Sequence, residues 1–300
     1  MIQPKQKWRH YNTDFGICIN EKCETVIKNY LEPNYKGRIN LIFTSPPFPL
    51  NRAKKYGNLN GDKYKSWLCE VGKSLLPLLS DDGSIVIEIG NAWNPGEPTF
   101  STLPIETLLE FQKSCGLYLC QEFIYYNPAR LPSPIQWVNK ERIRVKDSFS
   151  RFWWMSKTPN PYANNSNVLE QYSKQMEKLI KNGKYNSGKR PSEHNISPDA
   201  FLQDNGGSIP ANVIISANTN SNDKYLTGCK NNNLPIHPAR MPYALPNFFI
   251  NFLTKKGDIV LDCFAGSNTT GYCAQQLERK WISIEANKDY YMGSKYRFRG

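Results

Sequence analysis

Short runs of almost purely apolar residues, each stopped by a tight turn and most followed by helical spacing, constrain this 300-residue chain more than any other feature. Ile39-Asn40-Leu41-Ile42-Phe43-Thr44 halts at Ser45-Pro46-Pro47. Ser84-Ile85-Val86-Ile87-Glu88-Ile89 follows an Asp81-Asp82-Gly83 turn. Residues 122–126, 259–261 and 281–284 repeat the theme. Runs of this length without polar alternation read as strands buried on both faces. Between them lie helical segments: 63–79, with apolar positions at Trp67, Leu68, Val71, Leu75, Leu76 and Leu79, then 104–114, 245–253 and 270–277. Strands alternating with helices predict an α/β fold with a doubly wound, mostly parallel sheet.

The alternation is interrupted once. Residues 157–235 hold Asn-Pro, Asn-Gly-Gly and Asn-Asn-Asn runs with little periodicity, so turns dominate. A helix over 169–181 and a strand within 209–215 are the regular elements expected there. Long loops inside a compact chain commonly carry function. The sequence therefore divides into a first half, 15–156, an inserted loop-rich region, 157–235, and a second half, 236–300. No internal repeat is visible.

Hydrophobic residues make up 39% of the chain, enough for a packed core, and the net charge is +12. Such a charge points to a polyanionic partner, nucleic acid first, although a basic surface kept for solubility reads the same way. No window approaches the roughly 18 apolar residues that span a bilayer. The first ten residues are polar and basic, without the apolar core of a secretory signal. The eight cysteines are scattered and form no Cys-x-x-Cys pair. These features predict reduced thiols in a cytoplasmic protein. The three histidines lie far apart, so spacing supports no metal site.

Two turns are candidates for chemistry. The first is Asp262-Cys263-Phe264-Ala265-Gly266-Ser267-Asn268-Thr269-Thr270, which joins a strand to a helix through small residues. Small residues let backbone approach a ligand, and the free amides opening a helix favour an anionic group. Glu285 ends the next strand, where a carboxylate can accept hydrogen bonds from both hydroxyls of a ribose. This pattern suits a nucleoside-bearing ligand; an ordinary strand-to-helix turn has the same pattern. The second turn is Ser45-Pro46-Pro47-Phe48. Two prolines remove two amide donors and leave carbonyls as acceptors. An exocyclic amine on a base is a poor nucleophile, because its lone pair is delocalised into the ring. The Ser45 hydroxyl and the Pro46 carbonyl can each accept one N–H and turn that lone pair outwards, and Phe48 offers a flat face for a base. A Pro-Pro turn with no catalytic task is the alternative for the tetrad alone.

The nine-residue turn resembles the S-adenosylmethionine motif of the amino-methyltransferases that modify DNA, with Cys263 and Asn268 departing from the family's usual Pro and Gly. Asparagine tolerates left-handed backbone better than most residues, so the turn is expected to survive. The resemblance implies that Asp262, Phe264, Gly266, Ser267 and Asn268 form the cofactor turn, that Thr269 and Thr270 lie near the methionine end, and that Glu285 holds the ribose. His237-Pro238-Ala239-Arg240 resembles the motif that precedes this site. Ser45-Pro46-Pro47-Phe48 resembles the catalytic tetrad of the same enzymes. Serine at its head is typical of those that act on cytosine N4, and Asp or Asn of those that act on adenine N6. The absence of a Pro-Cys pair disfavours C5 chemistry. The tetrad precedes the cofactor turn, which is the permuted order of the β group. Residues 45–58, 131–139, 205–210 and 267–271 extend the resemblance across most of the chain. Glu21 and Glu88 fall where relatives carry Asp, near the adenosine and the catalytic serine respectively; Glu21 also reads as a solvated acid.

The resemblance thus implies a site-specific methyltransferase of a prokaryotic restriction-modification system. Its cofactor is S-adenosylmethionine, its substrate double-stranded DNA, and its functional counterpart a cognate restriction endonuclease. It is expected to work as a monomer without a metal. Arg52, Lys54 and Lys55 beside the tetrad, then Arg130, Lys140, Arg142 and Arg144 with Lys146 and Trp137, and finally Lys189 and Arg190, are candidate phosphate contacts. Residues 157–235 are the expected sequence reader. Adenine-N6 methylation, RNA methylation and a non-catalytic DNA-binding protein on the same fold are the alternatives.

Overall fold

A computed structural model describes residues 4, 7–48, 61–183, 188–189, 191, 195–197, 202–218 and 223–299. The chain divides into two compact units, Met1–Ala163 with Asn212–Gly300, and Asn164–Ala211. The second is narrower than the loop-rich region marked out in the sequence.

The larger unit is built on nine strands among the described residues. In chain order they are β1 (Arg9–Asn12), β2 (Gly16–Asn20), β3 (Ile39–Thr44), β4 (Leu79–Gly90), β5 (Tyr118–Tyr126), β6 (Phe149–Ser156), then, after the short pair β7 (Gly188–Lys189) and β8 (Asn195–Ile196) of the other unit, β9 (Val213–Ile215), β10 (Ile259–Asp262) and β11 (Lys280–Ile284). The sheet order is β1-β2-β11-β10-β3-β4-β6-β5-β9. The five central strands, β2, β11, β10, β3 and β4, are mutually parallel. The β6 strand pairs antiparallel with both β4 and β5. The sheet is thus mostly parallel, as expected, with two antiparallel strands, β1 and β6, that the sequence reading did not separate from their surroundings.

Alternation along the strands fills two layers. Ile42, Ile85, Ile87, Leu261 and Ile282 face one way, against α1 (Cys23–Val26), α2 (Glu32–Tyr35), α3 (Gly61–Leu75) and α4 (Leu103–Ser114). Leu41, Phe43, Val86, Phe152, Val260 and Trp281 face the other way. There they meet α7 (Ala244–Leu253), α8 (Thr269–Gln276) and α9 (Lys288–Ser294), while α6 (Lys224–Asn231) buries Tyr225, Leu226 and Cys229 in a small cluster of its own. Phe249 of α7 is fully buried, with ring centroids 5.4 Å from Phe43, 5.4 Å from Phe152 and 5.1 Å from Phe123. All eight cysteines are free thiols. No helix among the described residues is long and apolar enough to cross a membrane.

Several boundaries differ from the sequence reading for local reasons. The helix expected over 63–79 ends at Leu75 and passes into a 3₁₀ turn at Leu76–Leu78, because Pro77 cannot continue an α-helix. The turn expected at 81–83 lies inside β4, where the register to β3 shifts between Ile39 and Leu41 and Asp81 and Asp82 remain exposed. In the smaller unit, α5 (Lys174–Asn182) starts later than expected, because Ser173 caps it by accepting from the Met176 amide at 3.2 Å. Glu170 just before it is paired with Ser208 by two backbone bonds of 2.9 Å.

Phe249→Ala removes the ring shared by four aromatic neighbours and is expected to cost about 3–5 kcal/mol. Urea unfolding measures it; a loss below about 1 kcal/mol would show that this layer is not a single packed core.

Candidate active site

The parallel strands direct their carboxyl ends to one edge of the sheet, where both candidate turns lie. Thr44 is the last residue of β3 and Asp262 the last of β10, and these strands are neighbours. The Thr44 hydroxyl donates to Asp262 Oδ1 at 2.8 Å, and Thr270 donates to Oδ2 at 2.7 Å. The Phe264 amide also reaches Oδ1, at 3.1 Å. Asp262 is buried, and burial raises its pKa, against the lowering effect of these three donors. It is therefore a structural tie rather than a ligand group. Thr270, expected near a ligand, instead points its hydroxyl at Asp262.

Beyond Asp262 the turn is held residue by residue. Gly266 has φ +52°, and a Cβ there would sit 3.0 Å from His237 Nε2, so only glycine fits comfortably. Asn268 adopts φ 54°, ψ 44°, the left-handed conformation anticipated for it. It is fully buried: its Oδ1 accepts from Gly271 N at 3.1 Å and Ser283 Oγ at 2.7 Å, and its Nδ2 donates to Tyr11 at 2.9 Å. Asn268 caps α8 and is held by these three bonds to the protein. Ser267 is buried and its hydroxyl lies 3.2 Å from that of Thr269. Its carbonyl accepts from Arg297 Nε at 2.6 Å, and its Oγ from a second guanidinium nitrogen at 3.0 Å. Arg297 also pairs with Asp223 at 3.1 Å and donates to the Tyr243 hydroxyl at 2.6 Å. No sequence signal marked Arg297, which sits in a polar run near the C-terminus.

Glu285 follows β11. Its Oε2 accepts from Gly266 N at 2.6 Å and its Oε1 from Asn287 N at 2.7 Å. Each oxygen retains a lone pair, as a vicinal diol requires. Burial pushes its pKa up to about 7, opposed by these two amides. Phe264 is half-buried with its ring 5.6 Å from that of Trp67, and the Trp67 indole donates to Glu24 at 2.7 Å. Glycine backbone, a carboxylate with two open acceptors and an aromatic wall fit a nucleoside-bearing ligand. His237 packs edge-on against Tyr290 at 4.5 Å, and burial lowers its pKa to about 4, so the ring is neutral. Pro238 is exposed. Glu21 is half-buried and accepts from the next amide at 2.8 Å.

The tetrad forms the other side. The register Thr44 to Ile87 brings Ser45 level with Glu88, close enough to lower the pKa of its carboxyl. Ser150 of β6 donates to Glu88 Oε1 at 2.7 Å. Tyr125 pairs with Ser150 in register, and its buried hydroxyl has no hydrogen-bond partner among the described residues. Ser45, Glu88, Ser150 and Tyr125 thus make a polar row across four adjacent strands, stepped by one pleat between β4 and β6, where Glu88 is in register with Phe152 and Ser150 with Gly90. The row lies directly beyond Phe43, Val86, Phe152 and Phe123 on the same face. Glu88 is half-buried, and desolvation raises its pKa, against the two serines and the charge of Arg130. Pro46 is buried, and Pro47 and Phe48 are half-buried. The Phe48 ring lies so close to Gly90 that a Cβ there would meet it at 2.4 Å.

A family described as DNA methylase (N6_N4_Mtase) matches residues 39–295. The chain belongs to this DNA methylase family. The methylase is 44% identical over 262 residues to the type II methyltransferase M.PvuII of Proteus hauseri, covering 87% of this chain and 78% of that one. Its fold superposes on the structure of the PvuII DNA methyltransferase (cytosine-N4-specific) with a TM-score of 0.77 and 36% identity, over 97% of this chain and 88% of that one. The M1.HpyAVI–SAM complex has the same fold at 20% identity, with a TM-score of 0.57 over 94% of this chain and 98% of that one.

The basic residues of the methylase separate. Lys140, Arg142 and Arg144 are exposed, and Lys189 is exposed in the smaller unit. Arg130 is turned inward: it donates to the Phe149 carbonyl at 3.1 Å and lies 3.8 Å from Asp147. Arg52, Lys54, Lys55 and Arg190 lie outside the described residues.

Because the folded pKa of Glu285 lies above that of the unfolded chain, the folded state binds the extra proton between about pH 4.5 and 7. The ligand-free protein therefore loses stability as pH rises through that window. Glu285→Gln is expected to remove this loss, so its melting temperature should gain on the wild type from pH 5 to pH 8. Parallel melting curves for the two proteins would contradict the assignment.

Proposed function

We propose that this methylase transfers a methyl group from S-adenosylmethionine to the exocyclic N4 of cytosine within a specific duplex DNA sequence. The observation that carries the reading is Ser45, at the head of Pro46-Pro47-Phe48, level with Glu88 on the neighbouring strand and joined through Thr44 and Asp262 to the cofactor turn. The likeness to the cytosine-N4-specific PvuII methyltransferase supports the same base.

S-adenosylmethionine supplies an electrophilic sulfonium methyl when bound. Glu285 accepts hydrogen bonds from its ribose hydroxyls, Phe264 and Trp67 wall its adenine, and Gly266 lets the backbone approach it. A cytosine swung out of the stack packs on Phe48, which Gly90 seats. Ser45 Oγ and the Pro46 carbonyl each accept one amine hydrogen, leaving the nitrogen lone pair directed outwards. Ser45 donates its own hydroxyl hydrogen to Glu88. After transfer, the methylated nitrogen gives up one proton; Ser45 passes it on, and Glu88, whose affinity for protons burial has raised, accepts it. Positioning and exclusion of water then supply most of the rate.

Exposed Lys140, Arg142, Arg144 and Lys189 contact phosphates, along with Arg52, Lys54, Lys55 and Arg190, and the region 157–235 reads the sequence. The protein acts as a monomer in a bacterial cytoplasm, protecting DNA from a cognate restriction endonuclease.

Ser45→Ala is expected to lower methyl transfer by about a hundredfold or more while S-adenosylmethionine affinity changes little. Isothermal titration and labelled methyl transfer test the pair; unchanged turnover would remove Ser45 from the mechanism. Mass spectrometry of nucleosides from treated DNA should find N4-methylcytosine, and N6-methyladenine in its place would overturn the base assignment.

A further inference from the structure

The connection between β5 and β6, residues 127–148, is fastened unusually well for a surface loop. Asn127 N donates to the Ser148 carbonyl at 2.9 Å and closes its base. Higher up, Asp147 N donates to the Ser133 carbonyl at 2.9 Å, and Lys146 Nζ reaches the carbonyls of Pro128 at 3.0 Å and Arg130 at 3.4 Å. These bonds lay residues 128–133 alongside 145–147. At the tip, Ile143 N and Arg144 N both donate to the Trp137 carbonyl, at 2.9 and 3.2 Å.

This fastened excursion holds aliphatic side chains out in solvent. Leu131 is 80% exposed, Val145 86%, Ile135 61% and Ile143 48%. A single exposed leucine needs no explanation, but four aliphatic residues within one ordered excursion form a surface that lacks its partner. The same segment carries five basic residues and two acidic ones. One of those acids, Asp147, lies against Arg130, and the other, Glu141, accepts from Gln136 at 2.8 Å. Lys140, Arg142 and Arg144 stay exposed around the aliphatic residues. Apolar side chains ringed by cations match a polyanion with an apolar interior, which describes a base stack between two phosphate chains.

The root of the excursion connects to the catalytic row. Asn91, the residue after the Gly90 seat of Phe48, donates to Asp147 at 2.8 Å and to the Phe149 carbonyl at 3.0 Å, and it accepts from Arg151 at 2.7 Å. The excursion therefore stands on the strand ends that bear Glu88, Ser150 and Tyr125.

We propose that Leu131, with Val145 on the facing leg, is a wedge that enters the base stack and fills the space left when the target cytosine turns towards Ser45. The inference rests on the methyltransferase reading above and adds to it the residues that hold the duplex open. Removing a base from the stack costs unpairing and unstacking energy, and an apolar filler recovers part of that cost.

The test uses the full chain and two duplexes containing the sequence it methylates, one with the target cytosine opposite guanine and one with it opposite an abasic site. Wild-type transfer to the paired duplex is measured first; its absence would overturn the methyltransferase reading and the wedge together. The Leu131→Ala/Val145→Ala variant is expected to be at least about tenfold slower than wild type on the paired duplex and within about twofold of it on the abasic one, where little pairing opposes extrusion. Leu131→Met should keep the wild-type ratio. Equal losses on both duplexes, or no loss on either, would overturn the wedge and leave the chemistry standing. A change from dimer to monomer in sedimentation of the double variant would likewise overturn it, in favour of a contact between copies of the chain.

Discussion

The carboxylate of Asp262 is the point on which the site depends. One oxygen accepts from Thr44, the residue before the catalytic serine, and the other from Thr270 in the first turn of α8. The two candidate turns come from opposite ends of the permuted chain, yet a single side chain ties one to the other. Transfer of a methyl group needs the nitrogen, carbon and sulfur in line to within a few tenths of an ångström, and such alignment is a large part of what an enzyme supplies. The tie is buried and has no competing water, so it keeps that alignment without strain elsewhere. It also explains why an unpaired buried acid is tolerated here: three donors surround it, and its raised pKa measures the remaining cost of burial.

The polar row beyond it follows from simple alternation. Side chains two residues apart share a face of a strand. Phe43, Val86, Phe152 and Phe123 close the aromatic layer, and the next residue on the same face of each strand is Ser45, Glu88, Ser150 and Tyr125. The hydrophobic core thus gives way to polar side chains one pleat further along each strand, with a step between β4 and β6 that the Ser150–Glu88 hydrogen bond crosses. Glu88 is longer than the Asp expected at that place, yet it spans both serines. The antiparallel β6 supplies Ser150, so a strand that breaks the parallel pattern is also the one that completes the row.

Much of this was legible in the sequence. The buried strands over 39–44, 84–89, 259–261 and 281–284 are decided by local composition, and they lie where the apolar runs placed them. The tetrad and the cofactor turn were legible because each is contiguous. What escaped detection depends on pairs distant in sequence. Arg297 meets Ser267 across thirty residues and Asp223 across seventy-four. Thr270 and Asn268 were read as ligand neighbours because the motif is contiguous, but the structure turns both into braces. The β6 strand has no clean alternation because a core layer packs on each of its faces, Trp153 and Met155 in one and Phe152 and Trp154 in the other.

The braces divide the cofactor turn into two sides with different duties. Ser267, Asn268 and Thr270 point into the protein, towards Arg297, Ser283 and Asp262, and each of these contacts is buried. Phe264 and Gly266 are left on the open side, where Glu285 hangs from the Gly266 amide. A turn gripped from behind by a guanidinium and two side-chain caps loses little further freedom when a ligand arrives, so more of the binding energy remains for the ligand itself. Glu285 carries the opposite logic. Its raised pKa shows that the empty carboxylate is short of donors. On the proposed reading, two ribose hydroxyls would supply what it lacks, and binding the cofactor would relieve a cost that folding leaves outstanding.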